Sequence, residues 1–200
     1  MAEPFRVALI GGSSHVGKST TALALATRLG WPCASTDSMA RHPGRPWSTA
    51  TFALPDHVVA HYRALSPDEL TDAQLAHYRN MWPLVARRVE AALADGAEPL
   101  VLEGSGVMPE PVASMGLAGV RAVWLTAPPE LIEARIRRES GFDDADIEAR
   151  ALIAKFVRRS QLYDAEVIGQ ARRLGLPLVE VIADTTREAA LEACLAALRA

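Results

Sequence analysis

Short apolar runs alternate along the chain with longer segments whose apolar residues recur at helical spacing. Residues 5–10, Phe5-Arg6-Val7-Ala8-Leu9-Ile10, form a β-prone run. Residues 20–29 follow a glycine-rich turn and carry Leu23, Ala24, Leu25, Ala26 and Leu29, which predicts a helix. Gly30 is suited to end that helix, with Pro32 just beyond. Residues 32–36 predict a second strand. Asp37 stands at its end, and Ser38-Met39-Ala40-Arg41 can begin a helix that Asp37 would cap. The stretch 42–55 holds Pro43, Gly44, Pro46 and Pro55 and predicts a loop. Helices are expected over 56–65 and 67–95, the second with a kink at Pro83 and an end at Gly96. Residues 98–102 predict a third strand that runs into Glu103-Gly104, and 110–115 a short helix. Residues 120–126 predict a fourth strand. Pro129 then opens a helix that reaches about residue 139. Ser140-Gly141-Phe142-Asp143-Asp144 reads as a break before a long helix over 145–174. Residues 178–182 predict a fifth strand, 183–186 a loop and 187–198 the last helix.

Strands alternating with helices imply an α/β architecture. A parallel sheet with right-handed crossovers would lie between two helical layers. Ligands of such sheets sit beyond the carboxyl ends of the strands. The informative positions are therefore residues 11–19, Asp37, Glu103, Thr126 and Asp184. The connection between the second and third strands exceeds the dozen or so residues that a crossover needs. Its surplus, residues 41–82, is expected to be a helical insertion that binds substrate. No linker interrupts the pattern, so residues 1–200 are expected to form one domain.

The turn after the first strand reads Gly12-Ser13-Ser14-His15-Val16-Gly17-Lys18-Ser19-Thr20, the G-x-x-x-x-G-K-S pattern of a Walker A loop, in the strand-to-helix setting that the pattern requires. Backbone amides curl around an anion in such a loop, and the helix N-terminus adds partial positive charge. Lys18 can reach the β- and γ-phosphates of a nucleotide, and the Ser19 hydroxyl can take a Mg²⁺ position. Glu103, at the end of an apolar strand, can hold Mg²⁺ through water. Asp37 can face the γ-phosphate and accept an acceptor's hydroxyl proton. Arg135, Arg137 and Arg138 precede the break at 140–144, and Arg158 and Arg159 follow it. Arginines at the base of a mobile lid, expected over 139–160, can clamp a transferring phosphoryl group. Arg41, Arg45 and Trp47 lie near Asp37 and can bind an acidic or phosphorylated acceptor. His57 and His61 are one helical turn apart, but the pair lacks the glutamate of H-E-x-x-H and a third ligand, which argues against a metal site.

Composition narrows the choice. Half of the 200 residues are apolar, so a sizeable core is expected. A net charge of −3 argues against a partner held by a global positive field, so nucleic acid is not expected. The two cysteines, Cys33 and Cys194, show neither a disulfide framework nor a C-x-x-C site, and a reduced cytoplasmic setting is expected. Met1-Ala2-Glu3-Pro4 lacks the basic and apolar regions of a signal peptide, and no run is long enough to span a membrane.

With these residues the chain resembles the small P-loop kinases: shikimate and gluconate kinases, chloramphenicol phosphotransferase and especially proteins called 2-phosphoglycerate kinase. The resemblance rests on Gly11-Gly12-x-x-x-x-Gly17-Lys18-Ser19-Thr20, on Ser35-Thr36-Asp37-Ser38, on Glu103-Gly104 with Pro109 downstream, and on the stretch 155–178. It covers the core of the chain and not residues 41–82. It implies a three-layer P-loop NTPase fold with a five-stranded parallel sheet, a substrate-binding insertion and a lid. It also implies residue roles. Asp37 would be acceptor ligand or base, Arg135 and Arg138 would be the lid arginines, and Asp184-Thr185-Thr186 would line adenine. The expected activity is transfer of the γ-phosphate of ATP, with Mg²⁺, to a hydroxyl of a small molecule. The loop residues 12–20 with Arg135 and Asp184 to Thr186 would hold the nucleotide, Ser19 and Glu103 the metal, and Asp37, Arg41, Arg45 and Glu103 the acceptor. Two other readings stand beside it: a nucleotide-binding regulatory ATPase without an acceptor, and a nucleic-acid end kinase. No Asn-Lys-x-Asp guanine signature is present, which favours ATP over GTP.

Overall fold

The computed structural model describes residues 5–40, 44–49 and 51–199. Five strands form one parallel sheet in the order β2-β3-β1-β4-β5. They are β1 (Val7–Gly12), β2 (Cys33–Ser35), β3 (Leu100–Glu103), β4 (Val120–Thr126) and β5 (Leu178–Glu180). Seven helices among the described residues surround them: α1 (Lys18–Leu29), α2 (Asp56–Ala64), α3 (Pro67–Leu93), α4 (Pro109–Met115), α5 (Pro129–Ser140), α6 (Ile147–Arg173) and α7 (Arg187–Arg199). Every residue of β1 is buried, as a central strand covered on both faces must be. Its side chains alternate between two cores. Ala8 and Ile10 pack with residues of α1, α5 and α7, including Leu25, Ile132 and Leu195. Val7 and Leu9 pack with Met81, Val85 and Val89 of α3 and with Trp124 of β4.

Local chemistry sets the element boundaries. The α3 start is a capping box: the Glu69 amide donates to Ser66 Oγ at 3.2 Å, and the Ser66 amide donates to Glu69 Oε2 at 2.8 Å. The helix then runs through Pro83. Asp146 caps α6 by accepting from the Ala149 amide at 2.8 Å, so this helix starts two residues later than the periodicity suggests. The break before it is a 3₁₀ turn, Phe142–Asp144, with the Arg137 guanidinium 4.1 Å from the centre of the Phe142 ring.

The helix expected from Ser38 does not form over residues 38–40. A 3₁₀ turn, Thr36–Ser38, closes β2 instead, and Ser35 rather than Asp37 caps it, accepting from the Asp37 amide at 3.3 Å. Arg41 lies outside the described residues, as do Met1 to Pro4.

The β1 to β4 contact leaves no room beside Gly11. A Cβ there would lie 2.3 Å from the Trp124 ring and 2.5 Å from the Val107 carbonyl, the group to which Trp124 Nε1 donates at 2.7 Å. Gly11→Ala is expected to lower stability by roughly 3 kcal/mol through overpacking. A fall in the urea midpoint with an unchanged slope is the measurement.

Candidate functional site

β1 ends at Gly12 and α1 begins at Lys18, so the glycine-rich loop turns the chain at the carboxyl edge of the sheet. Gly12 has φ of +129°, and a Cβ there would meet the Leu125 carbonyl oxygen at 2.2 Å, so only glycine fits. Gly17 (φ +101°) and His15 (φ +65°) also adopt left-handed backbone. Such a sequence of turns points successive amides to one side. The first turn of α1 has no acidic residue and no side-chain cap, which leaves its amides for an anion.

Lys18 is 8% exposed, and its Nζ donates to the Ser13 carbonyl at 2.5 Å. Burial lowers its pKa, against the opposing pull of Glu103, Asp37 and Asp164. Ser19 Oγ donates to Glu103 Oε2 at 3.2 Å. Glu103 is buried behind Ser19, so the hydroxyl and carboxylate are placed together as a hydrated divalent cation requires.

The loop stands between two cavities. The first, about 940 Å³, is lined among others by Lys18, Asp37, Arg45, Tyr78 and Arg159. The second, about 640 Å³, is lined by Arg135, Arg138, Thr185, Thr186 and Arg187. Both reach His15, Gly17 and Glu139. His15 Nε2 lies 2.9 Å from Glu139 Oε2, and Arg45 pairs with the other carboxylate oxygen. Burial holds the His15 pKa below its usual value, although Glu139 pulls it up. Arg135 Nη1 donates to the His15 carbonyl at 2.8 Å, so this arginine of α5 touches the loop backbone directly.

Most residues singled out in the sequence converge here. Ser14, His15, Gly17, Ser19 and Thr20 line the first cavity, with the exposed Asp37 across from them. Ser13 and Val16 of the loop are buried, and Val16 lines the second cavity. Of the proposed adenine segment, Thr185 and Thr186 line the second cavity, whereas Asp184 is exposed and does not line it. Other residues do not converge. Trp47 is 5% exposed and packs edge-on against Phe156 with ring centres 4.9 Å apart; it belongs to the core rather than to a binding surface. Arg137 is engaged with Glu133 and Asp143, and Arg158 is exposed. His57 lines the first cavity, and His61 packs edge-on against Tyr62.

Two groups were not legible as site residues, and a third, Arg159, was expected only as a lid arginine. Gln74, Tyr78 and Met81 bring one face of α3 to the first cavity, which explains the length of the crossover between β2 and β3. Arg159, 3% exposed, is held by the Tyr62 hydroxyl at 2.6 Å and lies 4.3 Å from the Phe156 ring centre. No carboxylate among the described residues pairs with it, and its Nε is buried without a partner. Asp164, 4% exposed, lies beneath the loop and accepts from Thr126 Oγ1 at 2.6 Å.

Burial pushes the Asp164 carboxyl up to about 6, against the pull of Thr126, of the Ala127 and Ser13 amides, and of Lys18. A folded-state value above the unfolded one means that the folded protein binds more protons between pH 4 and 6. The associated stability is present below about pH 4 and is lost as pH rises through about 6. At pH 8 the buried charge is a net cost of roughly 2–3 kcal/mol. Asp164→Asn is therefore expected to raise the melting temperature at pH 8 by several degrees and to have little effect near pH 4.

A parallel sheet in the order 2-3-1-4-5, with a glycine loop leading from β1 into α1, is the α/β P-loop NTPase-like fold of small kinases. A gluconokinase from Sinorhizobium meliloti has a similar fold, with a TM-score of 0.58 over 99% of this chain and 93% of that one, at 16% identity. A deoxyadenosine kinase from M. mycoides, solved with bound dATP, aligns with a TM-score of 0.52 over 97% of this chain and 100% of that one, at 13% identity. In sequence, the chain is 32% identical over 194 residues to a tRNA dimethylallyltransferase from Parvibaculum lavamentivorans, covering 89% of this chain and 56% of the relative. Enzymes of the same name from Streptomyces griseus and Rhodococcus jostii are 33% identical over 103 residues and 30% identical over 158 residues. They cover 51% and 76% of this chain. The chain spans 32% to 56% of the length of these curated relatives. No family model matches it. No helix among the described residues is long and apolar enough to cross a membrane.

Proposed function

We propose that the chain is an ATP-dependent kinase that phosphorylates a hydroxyl of a small anionic molecule. The observation that carries this reading is the position of the loop between two cavities, one with a base-like carboxylate, Asp37, and an unpaired buried cation, Arg159. In it, adenine and ribose occupy the cavity of Thr185, Thr186 and Arg138, and the loop amides and Lys18 hold the phosphates. Asp37 takes the proton of the acceptor hydroxyl as its oxygen bonds to the γ-phosphorus. The bond from that phosphorus to the β–γ bridging oxygen breaks, and ADP leaves. Arg135 and Arg138 at the base of a lid over 139–160 offset the spreading charge. Ser19 and Glu103 fit a hydrated Mg²⁺, which supplies further charge neutralisation when bound. Arg45 is released from Glu139 to meet the acceptor, and Arg159 binds the acceptor's acidic group. Guanidinium groups are suited to pair with carboxylate or phosphate, and no carboxylate among the described residues pairs with Arg159.

The likeness to 2-phosphoglycerate kinases in the Ser35-Thr36-Asp37-Ser38 and Glu103-Gly104 segments agrees with such an acceptor, although none of the relatives above carries that name. Those relatives instead favour a second reading, transfer to tRNA, and they weigh against the expectation, drawn from net charge, that nucleic acid is no partner.

The test is a screen of hydroxylated metabolites with ATP, and of bulk tRNA with ATP or with dimethylallyl diphosphate, for mass gain read by mass spectrometry. A phosphorylated small acid supports the kinase reading; modification of tRNA alone overturns it. On the acceptor so found, Arg159→Gln is expected to raise the acceptor KM by ~10- to 100-fold, the scale of a lost charged hydrogen bond. The nucleotide-dependent melting shift should stay intact. An unchanged acceptor KM removes Arg159 from the acceptor site.

A further inference from the structure

Asp164 belongs to α6, far along the chain from the loop, yet the helix is fastened to the loop from below. Ser13 is the meeting point. Its carbonyl accepts from Lys18, its hydroxyl donates to the Ser160 carbonyl at 2.7 Å, and its amide is among the groups that favour the Asp164 charge. Thr126, at the end of β4, donates to Asp164 Oδ2, and Oδ1 is buried without a hydrogen-bond partner. The Ala127 amide also favours the carboxylate, as does the Lys18 charge, and Tyr163 is its neighbour on α6. Asp164 is thus a sealed carboxylate with an unsatisfied oxygen, one residue away from the place where phosphates would sit. Anionic phosphates entering the loop would engage Lys18 and the loop amides, the same groups that keep Asp164 ionised.

We propose that Asp164 is a proton-linked positioning residue of the loop, and that nucleotide binding near neutral pH takes up a proton from solvent on its carboxyl group. This rests on the nucleotide reading of the loop. The physics is direct. A like charge placed close to a buried carboxylate raises its affinity for a proton. Competition for Lys18 removes the opposing attraction. The incoming phosphates then meet a neutral neighbour rather than a second anion, and the Thr126 hydrogen bond on Oδ2 is kept. Asp164 is already close to half-protonation in the slightly acidic range, so a small push is enough.

The experiment is calorimetric titration of the wild type with Mg²⁺–ADP at pH 7 in buffers of different ionisation enthalpy. The expected result is uptake of about half a proton or more per nucleotide. Asp164→Asn, which carries no titratable group, is expected to bind with no uptake. Uptake of the same size in Asp164→Asn places the proton elsewhere, on His15 or Lys18, and overturns the inference. Binding to the wild type without uptake overturns it alone; no binding of any nucleotide overturns the kinase reading with it. A second measurement uses the wild type only: infrared difference spectra with ¹³C-labelled aspartate. A protonated-carboxyl band that grows on addition of Mg²⁺–ADP supports the assignment even if Asp164→Asn binds poorly, and its absence overturns it.

Discussion

Lys18→Ala is expected to reduce phosphoryl transfer by about a thousandfold or more, equivalent to ~4 kcal/mol of transition-state stabilisation. The reason lies in its surroundings. The ammonium is buried, so solvent screens it little, and it is held 2.5 Å from the Ser13 carbonyl in the floor of the loop. Three carboxylates, Glu103, Asp37 and Asp164, surround it. Its removal would leave the site net negative where the proposed reading places the most negative part of the nucleotide. Nucleotide binding should weaken as well. In the wild type, Mg²⁺–ATP at 100 times its dissociation constant would add about 2.7 kcal/mol to folding stability, and the variant should retain less than half of the resulting melting shift. Melting without nucleotide serves as the control, since loss of a desolvated cation also changes the apo protein. An unaltered nucleotide shift in Lys18→Ala would show that the loop does not bind phosphates.

The second large effect concerns Asp37. Asp37→Asn keeps the shape of the side chain and removes its charge. Ser35 provides the cap of the 3₁₀ turn, so no structural hydrogen bond of the Asp37 carboxylate is lost there. Melting temperature and nucleotide binding should hardly change. Transfer should fall by ~100-fold or more, the usual scale for a positioned acid–base group, or roughly 2.7 kcal/mol. The two readings of this residue, cap and base, now separate cleanly. A variant that melts lower yet keeps its specific activity per folded molecule would return Asp37 to a structural role.

How much of this could be read from the sequence depended on locality. The loop from Gly12 to Thr20 is contiguous, and its chemistry requires fixed spacing, so it was visible at once. Asp37 and Glu103 were visible because strand ends in a parallel sheet all open on one edge. The choice of cap near Asp37 was not, because Ser35 and Asp37 are both competent caps two residues apart, and the short 3₁₀ turn decides between them. Trp47 was misread for a related reason. A tryptophan in a proline-rich stretch carries no periodicity to show that it is buried, and its place against Phe156 depends on α6, more than a hundred residues later. Arg159 was expected as a lid arginine, but its burial, like that of Asp164, was hidden by the strength of the helical pattern around them. They fall on the same stripe of α6 as Phe156, Tyr163 and Val167, where a core residue is the natural expectation. The signal that was available is polarity within the stripe: Arg159, Ser160, Asp164 and Gln170 are all buried. Arg159 and Asp164 lie five residues apart and do not pair with each other: Arg159 donates to the Tyr62 hydroxyl, and Asp164 accepts from Thr126.

That stripe divides the molecule into a part that is free to vary and a part that is not. Phe156, Arg159, Ser160 and Asp164 share one rod, and its footing on Ser13 and Thr126 fixes their register against the sheet. A substitution that rotated or slid α6 to suit a different acceptor would move the floor of the loop with it. Gln74, Tyr78 and Met81, on α3, reach the same cavity from the opposite side. In the kinase reading, selection for new acceptors would therefore act first on α3 and the segment leading into α2. Diversity among descendants of such an enzyme should concentrate on that wall, while α6 holds the constant end of the molecule.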